Sequence, residues 1–191
     1  LGDVKVVRTI LDGLGGVQQT LTKYEGALAS YSELLTAARD LGDLALEGEM
    51  LVKLGRLQRD QGNQAQALDY YEQARALAQS VSDPALQAQA LENIARLQRD
   101  AGDVAQALQT YQEALTLAQE SGNLPLEERA LTNIGPFYRD TGQLTQALDY
   151  YQQVLVKARS AANPQAEASA LDNLARLQRD GGQWDEALAT Y

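Results

Sequence analysis

The chain has 191 residues, 45% of them apolar and 22% charged, with a net charge of −10. That is a globular balance, and 191 residues are enough to bury a core. The absence of cysteine and histidine excludes disulfides, thiol nucleophiles, Cys/His zinc sites and imidazole catalysis, and the acidic balance disfavours nucleic acid and anionic membrane as partners. No apolar run reaches the roughly 18 residues of a membrane-spanning helix, and no signal-peptide pattern opens the chain. Together with the lack of cysteine this fits a cytoplasmic location. The first residue is Leu1 rather than Met, so the sequence is expected to be a piece of a longer protein.

Along the chain one pattern returns every 40 residues. The strings Leu51–Asp60, Leu91–Asp100, Leu131–Asp140 and Leu171–Asp180 share a frame, the last of these reading LDNLARLQRD against LENIARLQRD at 91–100. Ala27, Ala67, Ala107, Ala147 and Ala187 form one ladder, and Tyr31, Tyr71, Tyr111, Tyr151 and Tyr191 another. Each unit opens on a helix-capping residue: Asp3, Asp43, Asp83, Asn123 or Asn163. Such a side chain accepts a bond from an orphan amide of the first helical turn. Pro84 and Pro164 follow two of these caps at the first helical position, which needs no N–H. Gly62, Gly102, Gly142 and Gly182, with Thr22 in the first unit, mark a turn inside each unit.

The units therefore read as cap, helix A, glycine turn and helix B, at 3–42, 43–82, 83–122, 123–162 and a truncated 163–191. In the third unit the helices are expected at about 84–100 and 104–120. Leu91, Ile94, Ala95 and Gln98 make one helical stripe, with Leu97 beside it; Ala107, Leu108, Tyr111, Ala114 and Leu115 make the other. Small alanines let the helices approach, and the tyrosine fills the gap to the next unit. The glycines Gly13, Gly15 and Gly16 predict a loosely packed first helix, each costing about 0.5–1 kcal/mol against alanine. The fold class is all-α, a single stack of about five antiparallel helical hairpins, because no hairpin can bury its apolar face alone.

The segment ALTNIGPFYRDTGQLTQALDYYQQVL at 130–155 resembles the tetratricopeptide repeat: Leu131, Ile134, Gly135, Tyr138, Gly142, Ala147 and Tyr151 stand at its signature positions. The usual unit has about 34 residues, and the 40-residue variety is similar to repeats of cyanobacterial proteins, cell-polarity adaptors, bacterial peptide-sensing regulators and kinesin light chains. The resemblance implies a right-handed superhelix whose A helices line a concave groove, and a protein-binding scaffold rather than an enzyme. It departs from the family pattern at Gln58, Gln98 and Gln178, where a tyrosine is usual, and at Ala95 and Ala175, where glycine is.

With helix A lining the groove, the residues opposite the core stripe become the candidates. They are Glu49, Lys53, Arg56 and Asp60 in the second unit, and Gln89, Asn93, Arg96 and Asp100 in the third. The fourth has Arg129, Asn133, Pro136 and Asp140; the fifth has Ser169, Asn173, Arg176 and Asp180. Arg59, Arg99, Arg139 and Arg179 flank them. Of the twelve arginines, eight lie at these groove or rim positions, although the chain is acidic. Guanidinium forks match carboxylates, and asparagine offers both donor and acceptor to a peptide backbone; by resemblance, Asn93, Asn133 and Asn173 stand where related proteins hold that backbone.

The expected site is thus Lys53, Arg56, Asn93, Arg96, Arg99, Arg129, Asn133, Arg139, Asn173, Arg176 and Arg179, and the expected partner a protein or peptide segment carrying Asp or Glu. No metal or cofactor is expected, since no phosphate loop or catalytic carboxylate pair is present. Other readings stay open. The Arg–Asp neighbours can form ion-pair ladders between units, Pro136 can open a pivot or pocket at Phe137 and Tyr138, and the glutamines can join helices by hydrogen bonds. The array can also serve as a sensor arm of a larger protein, or self-associate through its ends.

Overall fold

The structure is a computed structural model that describes residues 24–190 together with Gly13. The expectations on Asp3, Thr22, Gly15, Gly16 and Tyr191, and the loose packing of the first helix, lie outside those residues. Nine helices run in chain order among the described residues: α1 (Tyr24–Leu41), α2 (Leu44–Asp60), α3 (Gln64–Ser80), α4 (Pro84–Asp100), α5 (Val104–Glu120), α6 (Leu124–Asp140), α7 (Leu144–Ser160), α8 (Pro164–Asp180) and α9 (Trp184–Thr190). The two helices predicted for the third unit are α4 and α5.

Local chemistry sets these limits. Asp43, Asp83, Asn123 and Asn163 each accept a bond from the backbone N–H three residues on, capping α2, α4, α6 and α8. At the C-terminal ends the chain turns through a left-handed residue. Gly62 has φ +82°, and its N–H bonds to the carbonyl of Arg59 while the Asn63 N–H reaches Gln58. This paired closure of a helix end is the reason the turn favours glycine. The same closure recurs between units, where Gly42 and Gly122 share the position with Ser82 (φ +55°) and Ala162 (φ +50°).

Every helix packs against the next in the chain, and α2 also touches α4 as α4 touches α6. The A helices therefore form the inner, concave wall of a right-handed α-solenoid. The tyrosine ladder is core, as its spacing requires. Tyr71 packs on Ile94 and Leu97 of the next unit, Tyr111 on Ile134 and Phe137, and Tyr151 on Leu174 and Leu177. Each ring also lies flush against helix A of its own unit: a Cβ added at Gly55 would sit 2.4 Å from Tyr71, and one added at Gly135 2.3 Å from Tyr151. The buried hydroxyls of Tyr71, Tyr111 and Tyr151 have no hydrogen-bond partner. Burial pushes the Tyr71 and Tyr111 hydroxyls up to about 12.

Proline 136 does not divide α6, which continues to Asp140. Phe137 is buried and meets Tyr111 edge-on at 5.6 Å, and Tyr138 stacks on Tyr150 at 5.3 Å. The aromatics fill the position, so the pocket or pivot allowed for there is replaced by packing. The glutamine ladder is uneven. Gln58 accepts a bond from Asn63 at 2.8 Å within its own unit, whereas the buried Gln98 Oε1 has no partner.

Candidate functional site

A depression of about 540 Å³ opens on the concave wall. It is lined from the second unit by Arg56 and Arg59, from the third by Glu92 and Arg96, from the fourth by Glu128, Arg129, Thr132 and Asn133, and from the fifth by residues that include Ser169. One helix period per turn and one unit per 40 residues bring these separated residues to a single surface.

The sequence-predicted residues have different fates there. Arg56 and Arg96 line the depression, and neither makes an ion pair among the described residues. Burial and the neighbouring Arg129 push the Arg56 guanidinium below the usual arginine value, and the Glu92 carboxylate partly pulls it back. Arg129 is already engaged. Its Nε donates to Glu92 Oε2 at 3.1 Å, its terminal nitrogen donates to the same oxygen, and Asn133 Nδ2 donates to Glu92 Oε1 at 3.2 Å. The Glu92 side chain is only 4% exposed, against 42% for Arg129. Glu92 thus presents an internal carboxylate from α4 to a fork and an amide on α6.

Asn93 is a correction. It is buried, its Nδ2 donates to the Gln89 carbonyl at 2.7 Å, and its Oδ1 is sealed without a partner. At 1% exposure it presents no surface that could hold a partner's backbone in the groove. Asn173 is half-buried. Lys53 pairs with Glu49 at 3.3 Å and lies 5.5 Å above the Tyr31 ring, and Arg176 pairs with Asp172 at 2.9 Å.

The rim arginines need a second correction. Their close bonds are not between units: Arg59, Arg99, Arg139 and Arg179 each pair with the aspartate that follows in sequence, at 2.8, 3.3, 2.9 and 3.4 Å. The next unit contributes a through-space attraction, from Asp100 at Arg59 and from Asp180 at Arg139. Burial works to lower the Arg59 guanidinium, yet the bond to Asp60 and these attractions leave it raised. Such exposed pairs are worth roughly 0–1 kcal/mol each.

Sequence reasoning missed the carboxylates that tie one unit to the next. Arg39 bonds Glu47 and Arg159 bonds Glu167, both at 2.8 Å. At the equivalent place Glu127, which is buried, accepts from Gln119 at 3.0 Å and from Lys157 at 2.8 Å. The signal was available: the columns 39/79/119/159 and 47/87/127/167 pair Arg with Glu twice, eight residues apart across a junction. Glu92 left only a weak one, being the lone glutamate in the column Val52, Glu92, Thr132, Asp172. Pro136 adds a backbone feature, since it has no N–H to offer the carbonyl of groove-lining Thr132.

Among the described residues no helix is long and apolar enough to cross a membrane, and no group of three or more His, Cys, Asp or Glu residues is placed to hold a metal. The structure is similar to BtubC (BKLC) from P. vanneervenii, with a TM-score of 0.84 at 19% identity, covering 98% of this chain and 78% of that one. It is similar to a Podosopora anserina kinesin light chain protein of nearly identical TPR-like repeats, with a TM-score of 0.71 at 16% identity over 96% of this chain and 90% of that one. It also matches a Rap protein complexed with Competence and Sporulation Factor, at 0.75 and 18% identity over 93% of this chain and 50% of that one. No curated protein matches the chain at a significant level. The tetratricopeptide repeat profile matches residues 6–80, 86–155 and 126–191, and with it the ladders, caps and hairpins have their explanation: the chain is a member of the tetratricopeptide repeat family.

Proposed function

We propose that this array binds a segment of a partner protein along its concave wall, and that the segment carries acidic side chains. The observation that supports the reading is the pair Arg56 and Arg96. Two arginines at equivalent positions of neighbouring units line one depression without an ion-pair partner among the described residues. Burying or crowding a guanidinium without a counter-ion is unfavourable, and a partner carboxylate relieves it through charge-assisted hydrogen bonds. Nearby, Glu92 illustrates the chemistry from within, as a carboxylate held by an arginine fork and an asparagine amide. A protein-binding role agrees with the family, and the Rap array of the same fold is one complexed with Competence and Sporulation Factor. Glu128 also lines the depression, and carboxylates farther than about 8 Å from the groove are screened at physiological salt.

Fluorescence anisotropy with a fluorescein-labelled Gly/Ser peptide carrying four glutamates tests this, with the glutamine version as control. Binding of the glutamate peptide alone, lost in Arg56→Ala plus Arg96→Ala, is the expected result. No binding, equal binding of both peptides, or binding indifferent to the double substitution would contradict it.

A further inference from the structure

Arg56 and Arg96 are not simply two positive charges. They are the same helical position in adjacent units, 40 residues apart, on α2 and α4, which touch. Axes of packed helices lie about 8–10 Å apart, so the two arginine positions repeat at about that interval along the groove. An extended chain of the polyproline II form advances about 3.1 Å per residue with three residues per turn, so residues i and i+3 share a face and cover the same distance. A helix rises about 1.5 Å per residue and would need about seven.

The series stops after this pair. In the fourth unit the equivalent residue is Pro136, and the nearby Arg129 is held by Glu92. In the fifth it is Arg176, held by Asp172. Over units 4 and 5 the depression offers hydroxyls instead, from Thr132 and Ser169, beside the carboxylate of Glu128.

We infer that the groove is a two-position charge ruler: Arg56 and Arg96 select an extended partner segment with two carboxylates three residues apart, and the rest of the segment lies on the wall of units 4 and 5, where Arg129 and Arg176 are already paired. This rests on the groove-binding reading and adds to it the spacing, the extended form and the polarity of the partner. Glu92 acts in it as a specificity residue. By occupying Arg129 and Asn133, it denies the partner a third carboxylate position.

A random 12-residue phage-displayed library selected on the 191-residue chain is the test, followed by labelled synthetic peptides of the winning sequence. The expected winners carry an acidic pair at i and i+3. Moving that pair to i and i+1, or to i and i+7, should weaken binding about tenfold, the scale of one lost bond to a charged group. In Arg56→Ala the three spacings should bind alike. Acidic winners without a preferred spacing, a preference for i and i+7, or a spacing preference that survives Arg56→Ala would overturn the ruler while leaving groove binding intact. Winners without acidic residues, or none at all, would overturn both.

Discussion

The junction between units 3 and 4 differs from the junction between units 2 and 3. Units 3 and 4 are tied on the concave side by Glu92 with Arg129 and Asn133, and away from it by Glu127 with Gln119 and Lys157. At the matching places of the 2/3 junction stand Val52 for Glu92, and Gln79 and Gln87 for the outer pair. The apolar contact is alike in both, one tyrosine inserted under two apolar residues of the next helix A. The contrast teaches that one vocabulary, arginine with carboxylate, has two uses here. Where the chain supplies the carboxylate, the groove is tied and locally neutral. Where it does not, Arg56 and Arg96 remain for a carboxylate brought by another molecule.

Breaking the tied junction should cost most, and unequally. Arg129→Ala strands the buried Glu92 carboxylate, and a loss of about 2–3 kcal/mol is expected, below the 3–5 typical of fully buried pairs because Arg129 is partly hydrated. Glu92→Ala leaves an arginine that water can reach, and should cost about 1 kcal/mol or less in urea unfolding. Equal losses would mean that the pair is not asymmetrically buried. Gln89→Ala, at the column equivalent to Arg129, should change stability by less than about 0.5 kcal/mol.

Alkaline pH should strain both junctions alike. The folded Tyr71 and Tyr111 hydroxyls keep their protons to about 12, whereas unfolded tyrosine loses its proton near 10. Between those values the folded state binds more protons, so stability falls as pH rises, by about 1.4 kcal/mol per pH unit for each residue. Below pH 10 these groups contribute no slope. Tyr71→Phe plus Tyr111→Phe should flatten the alkaline limb of a thermal-stability profile.

Gly135→Ala should destabilise by about 1–2 kcal/mol, overpacking against the Tyr151 ring outweighing the better helix propensity of alanine. A neutral result would show that the ring yields, as the natural Ala95 shows that Tyr111 tolerates a Cβ at the same position of the third unit. The smallest effect is a gain. Ser82→Gly and Ala162→Gly place glycine at left-handed turns and should each add about 0.5–1 kcal/mol, the relief of the left-handed penalty exceeding glycine's entropy cost.

Much of this architecture was written in single columns of the repeat. Caps at Asp43, Asp83, Asn123 and Asn163, the left-handed turns at Gly62 and Gly102, and the buried tyrosines each follow from one residue type at one backbone position. The site was less legible because it depends on pairs drawn from different units. Asn93 and Asn133 share a column, yet one is sealed and the other reaches Glu92 of the preceding unit. The rim arginines were visible as a ladder, but the shortest reach of each is to its own neighbouring aspartate. Ser82 and Ala162 hid a left-handed turn that Gly42 and Gly122 announced in the same column.

Arg56 and Arg96 are the arginines that this reading leaves free to act. Side-chain Nε–H NMR of the arginines, during titration with a labelled peptide bearing an acidic pair at i and i+3, reads this residue by residue. The Arg56 and Arg96 signals should shift and sharpen on binding, while Arg129, already held by Glu92, and the aspartate-paired Arg139 and Arg179 stay in place. A bound peptide that leaves Arg56 and Arg96 unmoved, or that shifts Arg139 and Arg179 instead, would contradict the claim.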